Sequence, residues 1–76
     1  MKNNIFVEFY KRNKAGQFIS LNDGMDVITN KPVISIIQRV VDRIVQRNER
    51  GRFQKVQAYR ILKNGEPFTP ILTVSS

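Results

Sequence analysis

Five arginines stand within fifteen residues, QRVVDRIVQRNERGR (38–52), at positions 39, 43, 47, 50 and 52. Only two acids, Asp42 and Glu49, are set among them. On a helix, Arg39, Arg43, Arg47 and Arg50 share one flank, and neighbours four apart have Cβ atoms about 5–6 Å distant. A guanidinium offers a forked set of donors that suits phosphate. Asp42 and Glu49 face away from that line, so the stripe is not neutralised by its own acids. The chemistry implied is contact with successive phosphates of a nucleic acid. The ordinary alternative is a solvated helix face whose arginine stems cover the edge of the core.

Other basic residues fall near turns and element ends. Lys11, Arg12 and Lys14 surround the first turn, and Arg52 and Lys55 follow the helix. If that turn and the end of the helix lie at the same end of the domain, these join the arginine flank in one patch. Arg39, Arg43, Arg47, Arg50, Arg52, Lys11, Arg12, Lys14 and Lys55 are then the candidate nucleic-acid-binding residues. The net charge of +7 over 76 residues favours an acidic partner of this kind.

Most other chemistry is excluded by composition. The chain has no cysteine and no histidine, which removes disulfides, thiolates, the usual zinc sites and the commonest general base. The stretch NDGMD (22–26) opens like a calcium loop, but the remaining acidic ligands and the closing glutamate are missing. Asp23 and Asp26 have no accompanying base, nucleophile or phosphate-cradling loop. Ser20, Ser35, Ser75 and Ser76 have no histidine to activate them. A non-enzymatic protein is expected, with no metal, no cofactor and no small-molecule substrate. No apolar run reaches the length of a membrane span, and no signal-peptide core precedes the first strand. The expectation is a cytoplasmic protein without a membrane partner.

The elements that would position these residues can be read in order. IFVEFY (5–10) is aromatic and β-branched and reads as a strand. NKAG (13–16) is a turn, and QFISL (17–21) returns as the second strand of a hairpin. NDG (22–24) reads as another turn, and MDVIT (25–29) as a short strand or extended lead-in. Residues 32–50 carry apolar pairs separated by polar pairs, which places Val33, Ile34, Ile36, Ile37, Val40, Val41, Ile44 and Val45 within about half of a helical wheel. All eight are β-branched, so propensity alone points to a strand. Burial of eight aliphatic side chains, at about 1.5–3 kcal/mol each, outweighs about half a kcal/mol of propensity per residue. Thr29 or Asn30 can cap the start, Pro32 suits the first turn, and Gly51 sits at C′. FQKVQAYRIL (53–62) is a strand, Asn64-Gly65 a two-residue hairpin turn, and PFTPILTVSS the returning strand. Pro67 and Pro70 place that strand at an edge.

The expected fold is therefore a single α+β domain, 1–76, of order ββαββ. One amphipathic helix packs on a four-stranded, mainly antiparallel sheet with strand order 2-1-3-4. A two-residue turn at Asn64-Gly65 would set Ile61 opposite Phe68 and Tyr59 opposite Pro70. Both faces of such a sheet are partly apolar, and one helix covers only one of them. Phe6, Tyr10, Tyr59, Ile61 and Phe68 are the candidates for a second face, covered by a homodimer or another protein partner. A base-stacking platform is the sharper alternative for the same residues. The ribonucleoprotein motifs and the GXXG loop are absent, and a single helix does not make a helix-turn-helix.

Two functional expectations follow. The first is a small basic binding protein that contacts the phosphate backbone through its arginine-lined helix. The second is a protein-interaction module that binds an acidic protein surface, such as a virus or mobile element would encode as an inhibitor or accessory subunit. A membrane-surface helix is a weaker third reading, because the apolar side of the helix lacks Trp, Phe and Leu.

Overall fold

A computed structural model of the chain describes residues 3–51 and 54–74. Strand β1 (Asn3–Arg12) is followed by β2 (Phe18–Thr29), helix α1 (Val33–Arg50), β3 (Ala58–Lys63) and two short pieces, β4 (Glu66–Pro67) and β5 (Leu72–Thr73). The strand order is β2-β1-β3-β4, with β5 also on β3, and every pairing is antiparallel. The α+β architecture and the order expected from the sequence are both present. Because β1 lies between β2 and β3, those two run parallel, which is what a helix crossing over the sheet requires.

β2 is one twelve-residue strand, so NDG does not reverse the chain. It forms a bulge. The pairs Glu8↔Gly24 and Tyr10↔Ser20 enclose two residue steps on β1 and four on β2. Asn22 absorbs the excess with φ 52, a left-handed conformation that asparagine tolerates. The Ser20 hydroxyl accepts the Asn22 N–H at 3.1 Å. A Cβ on Gly24 would stand 2.3 Å from the Val7 carbonyl oxygen and 2.6 Å from Phe6 Cζ, so the Phe6 ring lies across a position that only glycine fits.

The helix buries Val33, Ile36, Val40 and Ile44 against Ile5, Val7, Phe9, Tyr59 and Ile61 of the sheet. Ile37 and Val41 pack at the margin of this core. Ile34 does not: it is 77% exposed, because it sits at the edge of the apolar arc in the first turn. Pro32 holds the N-cap position, and no side chain caps the helix. Thr29 instead accepts the Lys31 N–H, so neither Thr29 nor Asn30 has the capping role the sequence implied. Gly51 closes the C-terminus with φ 66, as expected. The carboxamide of Asn48 exchanges two 2.9 Å hydrogen bonds with the backbone of Val56, which ties the helix end to the segment leading into β3. The expected strand 53–62 is shorter than predicted; β3 begins at Ala58, and Phe53 lies outside the described residues.

Asn64 and Gly65 have φ 52 and 84, the positive pair that a tight hairpin with right-handed twist needs. Beyond Pro67 the ladder breaks. The N–H groups of Phe68 and Thr69 both reach the Ile61 carbonyl, at 2.8 and 3.2 Å, and Thr69 Oγ1 accepts the Ile61 N–H. Pairing resumes with Tyr59↔Leu72, so the expected partner Pro70 is displaced by two residues. Two prolines without donors in four residues prevent an unbroken ladder.

Strand parity separates the two sheet faces. Phe9↔Tyr59 and Val7↔Ile61 lie under the helix, while Phe6↔Leu62, Glu8↔Arg60 and Tyr10↔Ala58 lie on the other face. The five residues expected on one partner face are therefore split. Tyr59 (4% exposed) and Ile61 (0%) belong to the core, and Tyr10 (8%) is itself buried. Only Phe6 and Phe68 remain exposed. The middle of the open face is polar: Arg60 donates to the Glu8 carboxylate, which also accepts the Tyr10 hydroxyl at 3.1 Å. Among the described residues, neither a continuous apolar face nor an aromatic stacking platform is built there.

Candidate nucleic-acid interface

The basic residues gather where β1 ends and the helix ends. The Arg12 N–H donates to Gln57 Oε1 at 2.6 Å, and the Gln57 N–H donates to the Tyr10 carbonyl at 2.9 Å. Together with the Asn48–Val56 bonds, these contacts bring the turn after β1 and the C-terminus of α1 to one end of the sheet. Arg12 and Lys55 meet Asn48, Glu49 and Gln57 around a cavity of about 600 Å³. Lys11 precedes Arg12, the last residue of β1, and Lys14 lies exposed in the adjoining turn. Arg52 lies outside the described residues. The Arg12 guanidinium stands 5.0 Å from the centroid of the Phe18 ring, which holds it against β2.

The helix flank is less uniform than the sequence implied. Four residues advance a helix about 40° past a full turn, so the row Arg39, Arg43, Arg47 rotates toward the core. Arg39 and Arg43 are exposed, whereas Arg47 lies over the core edge with its side chain 23% exposed. Its guanidinium stacks 5.0 Å from the Phe9 ring centroid and donates to the carboxylate of Asp23 in the β2 bulge. That hydrogen bond, together with the backbone N–H of Gly24, holds the Asp23 carboxyl below its ordinary range. Arg47 is thus a clamp between helix and bulge, half-buried where Arg39 and Arg43 are exposed. Arg50, three residues on, turns back outward and is exposed.

Between the flank and the bulge lies a cleft of about 320 Å³, lined by Phe9, Gly24, Met25, Arg43, Arg47 and Arg50. Asp42 stands apart, accepting a hydrogen bond from Gln38 at 2.9 Å. Two ion pairs, Arg47–Asp23 and Arg60–Glu8, form among the described residues. Neither engages Arg39, Arg43, Arg50, Arg12, Lys14 or Lys55. The structure thus brings most of the predicted basic residues to one end, while Arg39 extends the row along the helix toward its start. The Asp23 contact escaped sequence reasoning, although the 40° drift of the arginine row was a signal for it.

Among the described residues no group of three or more His, Cys, Asp or Glu side chains is placed to hold a metal ion. No helix among them is long and apolar enough to cross a membrane. Compared with protein-family models, curated proteins and solved structures, the chain matches none.

Proposed function

We propose that this protein is a non-enzymatic nucleic-acid binder that contacts the phosphate backbone through Arg39, Arg43 and Arg50 of the helix flank and through Arg12, Lys14 and Lys55 beside the helix end. The observation that carries this reading is a run of exposed cations, engaged in neither ion pair, that extends from Arg39 along the helix to the end of the fold where Arg50, Arg12, Lys14 and Lys55 lie. Contacts of this kind are sequence-independent and act by releasing counterions, so they weaken steeply with salt. Arg47, half-buried, contributes chiefly by holding the flank against β2.

The test is fluorescence anisotropy of labelled single- and double-stranded DNA and RNA across a salt series. Four or five phosphate contacts give a log–log slope of roughly −3 to −4.5. Arg43→Glu with Arg50→Glu abolishes binding and leaves the unfolding curve unchanged. Binding retained by that variant overturns the proposal. Reversing Arg47 instead would confound folding with binding, because its partner Asp23 and the Phe9 ring would lose their cation.

A second reading is a protein-interaction module that uses the uncovered sheet face. Phe6 and Ile28, 38% and 68% exposed, support it. Absence of nucleic-acid binding at low salt favours that reading.

A further inference from the structure

We infer that the cleft between the arginine flank and the β2 bulge is a docking site for a single phosphate group, and that Asp23 sets how tightly it binds. The inference rests on reading the basic end as a nucleic-acid surface, and it names the place where one backbone phosphate seats. Three arginines, Arg43, Arg47 and Arg50, line one concave volume of about 320 Å³. Arg47 is held in position by the Phe9 ring beneath it and by Asp23 beside it. It therefore forms a preorganised wall, with little rotamer freedom left to lose when an anion arrives. Arg43 and Arg50 lie two helical turns apart on the same line, about 10 Å along the axis. Both are exposed and neither forms an ion pair with the described residues, so both can close on an anion from either side.

Asp23 is the acid that pairs with this wall among the described residues. Its carboxylate takes the place beside Arg47 that a phosphate oxygen would otherwise take, and its charge repels an incoming anion. With Asp23 the four groups carry a net charge of two positive; without it, three. The bulge is thus more than an irregularity in β2, because it carries the carboxylate to the helix flank. Asp23→Asn keeps an oxygen to accept the Gly24 N–H that Asp23 accepts at 2.8 Å, so the bulge retains its local geometry.

The experiment is a titration of the 15N-labelled protein with inorganic phosphate, followed by NMR and compared with chloride at matched ionic strength. Saturable shifts confined to Gly24, Met25 and the region of Arg43 to Arg50 are expected. Asp23→Asn tightens the phosphate about three- to tenfold, the effect of removing one like charge a few ångströms away in a hydrated site. Asp23→Ser, which also removes the charge, gives the same direction and guards against a folding artefact of the first variant. Shifts that do not saturate or that map elsewhere overturn the inference, as does an unchanged or weakened affinity in both variants. The two proposals fail separately. If Arg43→Glu with Arg50→Glu abolishes oligonucleotide binding while the Asp23 variants change nothing, the docking site falls and the nucleic-acid reading stands. If phosphate enters the cleft but no oligonucleotide binds, the reverse holds.

Discussion

The guanidinium of Arg47 lies over the ring of Phe9, 5.0 Å from its centroid, and from that position donates to Asp23 on the neighbouring strand. One side chain thereby joins three elements: helix, central strand and edge-strand bulge. Removing it with Arg47→Met, which keeps much of the apolar stem, costs about 0.7–2 kcal/mol. The cation–ring contact accounts for about 0.5–1 of this and the half-exposed ion pair for about 0.2–1. Urea unfolding measures the difference, and a double-mutant cycle with Asp23→Asn isolates the pair. A loss below the scatter of surface substitutions would show that the clamp does not stabilise the fold.

The same pair gives an acid limb to stability. The folded-state carboxyl of Asp23 titrates below its ordinary value, chiefly through the Arg47 hydrogen bond. Its contribution is therefore complete above the ordinary aspartate range and is lost as pH falls through the lowered value. Asp23→Asn removes this dependence. Unfolding free energies of the two proteins converge at low pH.

On the open face, Tyr10 ionises late. Burial first, and then its hydrogen bond to Glu8, raise its pKa above the ordinary 10.0. Tyr59, in the core, is raised by burial alone. The stability that each contributes is fully present below the unfolded value and is lost as pH rises through the folded one. Tyr10→Phe costs about 0.5–1.5 kcal/mol at neutral pH by deleting a hydrogen bond, and it removes part of the alkaline loss. Tyrosinate absorbance during an alkaline titration reads both residues.

Gly24→Ala is expected to destabilise by about 1–3 kcal/mol, the usual cost of forcing extra atoms into a filled site. The added methyl would meet the Val7 carbonyl oxygen and the Phe6 ring. Phe6→Ala relieves only the ring contact, so the double variant recovers part of the loss and not all of it. Full recovery would mean that the backbone approach imposes no constraint.

Two isoleucines ten residues apart report the orientation of the helix. Ile44 is fully buried, and Ile44→Ala should cost about 2–5 kcal/mol. Ile34 is exposed, and Ile34→Ser should change stability by less than about 0.5 kcal/mol. Thermal or urea unfolding of the two variants checks this. Equal losses would place the helix in a different rotation about its axis.

Much of the architecture was legible because it depends on local patterns. The paired apolar spacing of residues 33–45 could only be buried as a helix, whatever the strand propensity of Val and Ile. Asn64-Gly65 could only be a tight turn with two positive φ values. The bulge was not legible. Asn22, Asp23 and Gly24 have the composition of a reversing turn, and only continued pairing with β1 shows that the chain runs straight on. The same holds for Thr69, whose hydroxyl replaces a ladder partner next to Pro70.

By itself, then, the sequence determined one helix on an antiparallel sheet, the hairpin at Asn64-Gly65 and a surplus of positive charge at the end of the helix. Periodicity, turn chemistry and net charge are properties of neighbours along the chain. The tertiary structure alone decided which arginine is a clamp and which face the solvent. It also decided that Tyr59 and Ile61 lie under the helix while Phe6 and Tyr10 lie opposite. Those outcomes depend on strand register and on the rotation of the helix over the sheet. A shift of one residue in the first, or of about 40° in the second, moves a side chain from water to core.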